Sequence, residues 1–360
     1  MPTFSEIVII GAGVSGMLTA RELRLAGREV AILDKSAAGR ESSWAGGGIL
    51  LPLYPWRQAP AISTLVRHSL PKFPELHQQL LQATGIDAEW TPCGMLISQT
   101  PDLDEALAWC RQNGQAHAAP PAAQTQRFGA HFDQPLWLPR IAQIRNPRLL
   151  QALQHYLRQI GVNFIEHTEI APLHIENRRA QALIAGGQRI DFNELIVCSG
   201  AWTGELLARL PGQPPSIEPV KGQMLAFDAP PGLLEHMILH GEHYLIPRRD
   251  GKILAGSTVE STGFDKTVTA AASERLHAFA VDLLPELRRF PVAHHWAGLR
   301  PGAPNGVPFI CRHPAADNLS LNAGHFRNGL VMGPASAQLL SDILLARPPA
   351  FDPAPYQLTP

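Results

Sequence analysis

Three glycines, one aspartate and two arginines are the residues of this chain whose types and spacing point to chemistry. Gly11, Gly13 and Gly16 fall in the run Gly11-Ala12-Gly13-Val14-Ser15-Gly16, and Asp34 follows Gly13 by 21 positions. A G-x-G-x-x-G turn with an acid about 20 residues on holds the ADP half of a dinucleotide. Gly11 permits the tight turn, Gly13 lets the backbone approach a pyrophosphate, and Gly16 lets helix pack on strand. Amides and a positive dipole end at the helix start favour the same anion. Near the other end of the chain, Arg300 and Arg327 lie in Gly298-Leu299-Arg300-Pro301-Gly302 and Gly324-His325-Phe326-Arg327-Asn328-Gly329. A guanidinium cannot shed its charge, so two of them in glycine-rich, largely apolar loops are expected to form an anion site. The natural guest is a carboxylate, held bidentately.

These residues need particular elements to carry them. Ile7-Val8-Ile9-Ile10 reads as a strand buried on both faces, the run to Ala26-Gly27 as a helix stopped at Gly27, and Val30-Ala31-Ile32-Leu33 as a second strand ending on Asp34. That βαβ unit gives the glycine motif its required context, and leaves FAD and NAD equally open. Between Lys35 and Ile49 small residues and hydroxyls cluster without helix or strand period. We read this stretch as backbone lying against a flat ligand, with Ser42 and Ser43 donating to phosphate or ribitol and Gly46, Gly47 and Gly48 allowing close approach.

Helical spacing runs from Ala61 to Thr84, broken near Pro71 and Pro74, and again from Leu103 to Asn113. Asn146 is expected to cap a helix that has Pro147 at its first position and ends before Gly161. Val162–Ile165, Ala182–Ile184 and Leu195–Cys198 read as further strands of the same parallel sheet, which makes the nucleotide unit discontinuous. From Ile217 to Val292 the texture becomes antiparallel, with a hairpin signal at Asp250-Gly251 and a helix from Ala270. Residues 116–126 look least structured. Gly333-Pro334 is expected to open the last helix, and the proline-rich end from Arg347 to wrap the surface.

Composition narrows the classes. The 360 residues are 45% hydrophobic and 17% charged, enough for more than one ordinary domain. A net charge of −1 offers no general field for nucleic acid or anionic membrane. Cys93, Cys110, Cys198 and Cys311 are far apart, without the spacing of a disulfide or zinc framework. No stretch has the apolar length of a membrane span, and the N-terminus lacks the early basic residues of a signal peptide. The chain therefore reads as cytoplasmic. The closest histidine pairs, His240 with His243 and His294 with His295, lack a third ligand at metal spacing. No G-x-S-x-G elbow is present either. If the loop before the last helix meets a flavin, the helix N-terminus would stabilise negative charge there. Together with the arginines, that suits hydride removal from the α-carbon of an amino acid, with no obligatory protein base.

The whole set of motifs resembles the D-amino-acid-oxidase-like FAD family, and within it the bacterial glycine oxidases of thiamine biosynthesis. The resemblance rests on the glycine motif, Asn146-Pro147-Arg148-Leu149-Leu150, Pro219-Val220-Lys221-Gly222-Gln223, Tyr244-Leu245-Ile246-Pro247-Arg248 and both arginine segments. It implies an α/β protein with a Rossmann-like FAD-binding domain (1–85, 143–217 and 298–360). A substrate domain (86–142 and 218–297) would carry a mainly antiparallel sheet and flanking helices. Val14 and Ser15 would meet the pyrophosphate, Asp34 and Lys35 the adenosine ribose and its surroundings, and Ile170 the adenine through its backbone. Ser42, Ser43, Gly47, Gly48 and Ile49 would line pyrophosphate and flavin. The run His325, Phe326, Arg327, Asn328, Gly329, Leu330 and Val331 would close over the pyrimidine edge. Arg300 would bind the substrate carboxylate, with Tyr244 and Arg327 beside it.

Cys311 falls beyond the position where related sarcosine oxidases tether their flavin, so non-covalent FAD is expected. The implied activity is oxidation of glycine, sarcosine or small D-amino acids by molecular oxygen, in a homo-oligomer, commonly a tetramer. A D-amino acid dehydrogenase feeding a quinone, an NAD-dependent dehydrogenase and a nucleotide-binding regulatory protein are the alternatives.

Overall fold

The computed structural model describes residues 4–121, 125–211 and 214–358. In chain order its strands are β1 (Phe4–Ile10), β2 (Val30–Leu33), β3 (Met95–Ile97), β4 (Leu136–Leu138), β5 (Asn163–Ile165), β6 (Ile175–Glu176), β7 (Arg179–Ala180) and β8 (Leu183–Ala185). Then follow β9 (Gln188–Val197), β10 (Glu218–Phe227), β11 (Met237–His240), β12 (His243–Pro247), β13 (Ile253–Gly256), β14 (Val292–Gly302), β15 (Phe309–Arg312) and β16 (Leu319–Ala323). The helices are α1 (Val14–Leu25), α2 (Ser42–Ala45), α3 (Pro60–Ser69), α4 (Phe73–Thr84), α5 (Leu103–Gln112), α6 (Asn146–Gln159), α7 (Thr203–Leu207), α8 (Ala270–Leu283) and α9 (Gly329–Leu344).

Two large sheets organise the chain. The first has the order β15-β16-β9-β1-β2-β5. Its inner strands run parallel, with Ile7–Ile10 of β1 paired to Val30–Leu33 and to Glu194–Val197. Val8, Ile9 and the whole of β2 are buried, as continuous apolar runs require in a sheet covered on both faces. One expected member departs from the parallel pattern: β8 pairs antiparallel with β9, because Gly186 and Gly187 close a tight hairpin between them. Helices α1, α3, α4, α6 and α9 contribute to the core on one side of this sheet.

The second sheet has the order β14-β10-β13-β12-β11-β3-β4, antiparallel except for the β11–β3 pair. Leu276, Ala280 and Leu283 of α8 cover one face. Met95, Met224, Tyr244 and Ile246 belong to the core on the other. The hairpin expected at Asp250-Gly251 joins β12 to β13.

Several local expectations are corrected. Asn146 is the first residue of α6 and makes no side-chain cap; its Nδ2 instead donates to the Ser43 carbonyl (2.7 Å). Pro334 does not open the last helix. That helix begins at Gly329, and Pro334 lies inside it, where the next amide, Ala335, donates to Ser69 Oγ (2.9 Å). The C-terminal segment lies over the surface as expected, mostly exposed, and is pinned by Tyr356, which is buried and whose hydroxyl donates to Ala61 O (2.8 Å). Within 116–126, residues 122–124 lie outside the described residues, and Ala118 pairs with Trp137.

Candidate active site

The parallel strands of the first sheet end at one cavity of about 520 Å³, which continues to the face of the second sheet. Gly11 follows β1 with φ +108°, and a Cβ there would stand 2.4 Å from Cys198 O. A Cβ on Gly16 would stand 1.9 Å from Gly11 O. These two positions accept only glycine, so α1 starts directly over the strand ends. Gly11, Gly13, Val14 and Ser15 line the cavity; Gly16 does not, and its part is packing. The Val14 amide, expected on a pyrophosphate, donates to Ser43 Oγ (2.9 Å). Among the described residues no acceptor takes the amides of Ser15 or Gly16, which leaves them as the first-turn donors.

Asp34 accepts from the Ala12 amide (2.8 Å) and from Ser36 N and Oγ (2.9 and 3.0 Å). A carboxylate has about four lone-pair sites, so capacity remains for a ribose hydroxyl. Lys35 places its ammonium 3.7 Å over the Trp202 ring, and both line the cavity. Ile170 bridges Ala185 through the flanking pairs Ala171 N to Ile184 O and Gly186 N to Glu169 O. In that register its own amide and carbonyl point away from Ala185, free for the edge of a base.

Ser42, Ser43, Gly47, Gly48 and Ile49 all line the cavity. Ser42 and Ser43 sit on the short helix α2 rather than in irregular loop. Trp296 Nε1 ties that helix to β14 by donating to Ala45 O (3.0 Å). The sequence gives Arg248 no site role of its own, because it follows a strand and precedes an exposed-looking turn. It is buried, and donates to Gly47 O (2.8 Å), Ile144 O (3.3 Å) and Gln143 Oε1. Burial pulls its guanidinium down to about 10. It fixes the carbonyl of the glycine run from behind.

Arg300 is on β14, a strand, not in a loop as its glycines and proline suggest. Gly222 lies beside it on β10 and makes room for the guanidinium: a Cβ there would stand 2.1 Å from Nη2. Nη1 donates to Lys221 O (3.3 Å) and Thr258 O (3.1 Å), Nη2 to Ser257 Oγ (2.7 Å). Among the described residues no carboxylate is bonded to it. Burial pulls this guanidinium down to about 10, with Tyr244 opposing the shift and Arg327 adding to it. It remains charged at neutral pH. Tyr244 and Arg327 line the same cavity. Arg327 Nε is buried without a partner among the described residues, and Nη1 has only Glu242 at 3.9 Å.

His325, Phe326, Asn328, Gly329 and Leu330 line the cavity, whereas Val331 faces the core behind it. Because α9 starts at Gly329, its open amides meet the cavity wall four residues earlier than expected. His325 Nε2 lies 3.2 Å from Ser336 Oγ, and burial pushes its imidazole down to about 4, so it is neutral. Sequence reasoning also missed Asn146, which lines the cavity with its Oδ1 buried and unpartnered among the described residues. Cys311 is on β15 and belongs to the core, away from the cavity. Among the described residues no group of three or more His, Cys, Asp and Glu could hold a metal.

A family model described as FAD dependent oxidoreductase matches residues 6–343. The chain belongs to this family. Similar proteins include a glycine oxidase of Pseudomonas aeruginosa, 44% identical over 98% of each chain. The bifunctional protein ThiO/ThiG of Synechocystis sp. is 29% identical over 96% of this chain and 52% of its own length. The crystal structure of glycine oxidase from Geobacillus kaustophilus superimposes with a TM-score of 0.92 at 27% identity, covering 99% of both chains.

The cavity of this FAD-dependent oxidoreductase fits its cofactor on its own evidence. Open α1 amides, the Asp34 carboxylate, the free main chain of Ile170 and the orphaned Asn146 Oδ1 supply polar partners along its length. Among the described residues no helix is long and apolar enough to cross a membrane.

Proposed function

We propose that the chain oxidises glycine and other small amines, such as sarcosine and small D-amino acids, to a 2-oxo acid and ammonia or amine, reducing oxygen to hydrogen peroxide. The observation that carries this reading is Arg300: a charged guanidinium on the cavity wall, held by carbonyls and Ser257, with no carboxylate bonded to it among the described residues. It supplies the charge that an amino acid carboxylate needs, and Tyr244 and Arg327 flank the same anion. FAD, when bound, supplies the two-electron acceptor. The chain's own contribution is orientation: with the carboxylate fixed, the α-carbon is held in one place relative to the glycine run 46–48. His325 is neutral, committed to Ser336 and unsuited to take a proton, in keeping with a mechanism that needs no protein base once the amine is neutral.

The ADP half would rest on Gly11, Gly13, Val14, Ser15, Asp34, Lys35 and Ile170, and the flavin against Ser42, Ser43, Gly47, Gly48, Ile49 and the 325–331 segment. We assign 1–85, 143–217 and 298–360 to the FAD-binding domain and 86–142 and 218–297 to the substrate domain, each built around one of the two sheets. The cofactor is held non-covalently, the enzyme is a cytoplasmic homo-oligomer, and its product feeds thiazole formation in thiamine synthesis. The likeness to glycine oxidases and to ThiO/ThiG supports that role.

A substrate panel with peroxide detection tests the reading, alongside Arg300→Ala. Glycine or sarcosine should yield peroxide stoichiometrically, and the variant should keep FAD but lose roughly 30- to 1000-fold in kcat/KM, the worth of a charge-assisted bidentate contact. Unchanged kinetics in Arg300→Ala would refute the carboxylate assignment. Substrate turnover with an added quinone but no peroxide would point to a dehydrogenase.

A further inference from the structure

We propose that Glu260 is a positioning residue for Arg300, fixing the two carbonyls on which that guanidinium rests. The inference builds on Arg300 as the carboxylate anchor. Those carbonyls belong to Lys221 on β10 and Thr258 after β13. Glu260 joins both. Its backbone pairs with Lys221 in each direction (2.9 Å for both bonds), and its Oε2 lies 3.3 Å from Lys221 Nζ. Its Oε1 accepts from Thr258 Oγ1 and from Gln223 Nε2 (2.8 Å). Thr258 Oγ1 in turn accepts the Gln223 amide (2.9 Å).

Lys221 and Gln223 point to the face of β10 opposite Gly222, so this polar cluster sits behind the sheet. Glu260 is absent from the cavity wall and touches no substrate; it acts through Arg300. Lys221 is 1% exposed, and its other charged neighbour is Asp265 at 3.8 Å. Removing the Glu260 carboxylate leaves the buried ammonium with the Thr267 carbonyl (3.2 Å) and the more distant Asp265, and leaves the Thr258 hydroxyl short of its acceptor. Both groups belong to residues whose own carbonyls lie under Arg300, so a shift of their main chain moves the support of the guanidinium. A binding group held by such a support loses geometry before it loses fold.

Acetate, a carboxylate without an amine, is the probe, titrated into the FAD-loaded enzyme and read by the flavin absorbance change. In Glu260→Ala the acetate dissociation constant and the KM for glycine should both rise about tenfold, with kcat changed less than about twofold and FAD affinity unchanged. Glu260→Gln, which keeps the acceptor for Thr258 and Gln223, should recover most of that loss. If Glu260→Ala does not fold, Glu260→Gln and the near-isosteric Thr258→Val decide, the first expected to weaken acetate about twofold and the second by a factor between about two and ten. Unchanged acetate binding in the folded variants overturns the inference, as does loss of kcat and FAD affinity in step with KM. Arg300→Ala is the control: if it too leaves acetate binding unaltered, the anchor reading has failed instead.

Discussion

Adding a single methyl group at Gly222 should disable the carboxylate site without touching the cofactor. A Cβ there would stand 2.1 Å from Arg300 Nη2, 2.2 Å from Nη1 and 2.3 Å from Cζ. Ordinary contact begins near 3.4 Å, so the guanidinium must retreat by more than about 1 Å. The backbone tolerates alanine, since Gly222 lies in a regular strand without positive φ. What yields is the set of bonds to Lys221 O, Thr258 O and Ser257 Oγ, together with the aim of the guanidinium. Losing one such charged hydrogen bond costs about 1.5–3 kcal/mol, which predicts a fall of roughly 10- to 150-fold in kcat/KM for glycine. The assay is peroxide production at saturating oxygen, with flavin content and thermal midpoint measured on the same sample. Gly222→Ala combined with Arg300→Ala completes a double-mutant cycle. If the methyl acts through Arg300, the double variant is no worse than Arg300→Ala alone. Additive losses, or a single variant within twofold of the parent, would refute this account of Gly222.

Three further outcomes are expected. Gly48→Ala would set a Cβ 1.9 Å from Ile144 O at φ +81°, so it should lose more than about 3 kcal/mol of stability and purify without flavin, as melting and absorbance will report. Burial holds His325 near 4, below its ordinary 6.5, so the folded state binds fewer protons than the unfolded one between those values. That stability is complete above pH 6.5 and drains away as pH falls towards 4, by at most about 3 kcal/mol; melting between pH 7 and 5 should drop less steeply in His325→Asn. Phe264 stacks on Trp202 (5.5 Å) and Lys266 pairs with Glu41 (3.0 Å), so one loop braces two cavity-wall residues. Phe264→Ala should loosen FAD about 2- to 10-fold and Lys266→Ala less, because an exposed ion pair is worth little; flavin release by dilution measures both.

The parts legible in the sequence are those with local cause. The βαβ unit could be read because its strands are apolar throughout, its glycines are forced by sterics, and Asp34 ends the second strand. The strand under Arg300 could not, because Pro301 and two glycines imitate a loop. They are tolerated because β14 is the edge of its sheet, where a missing amide costs no ladder bond on the open side. Pro334 misled for a similar reason: an interior proline is penalised locally, yet the apolar, buried α9 continues past it. Asn146 looked like a helix cap, and only the fold brings Ser43, 103 positions away, within reach of its amide.

Arg248 and Arg300 show what no local pattern could have separated. Both guanidiniums are pushed down to about 10 by burial, and both rest on carbonyls rather than carboxylates. Arg248 is enclosed and spends its donors on Gly47, Ile144 and Gln143, more than 100 positions away. Arg300 opens onto the cavity, because Gly222 leaves it room and β14 points it inward. Residue type and the direction of the pKa shift are therefore the same in the two cases, while Arg248 is buried and Arg300 only partly so. The difference between an arginine that holds the glycine-run backbone and one that faces the cavity is which side of the second sheet's neighbours is left empty. That is set by one glycine on the adjacent strand.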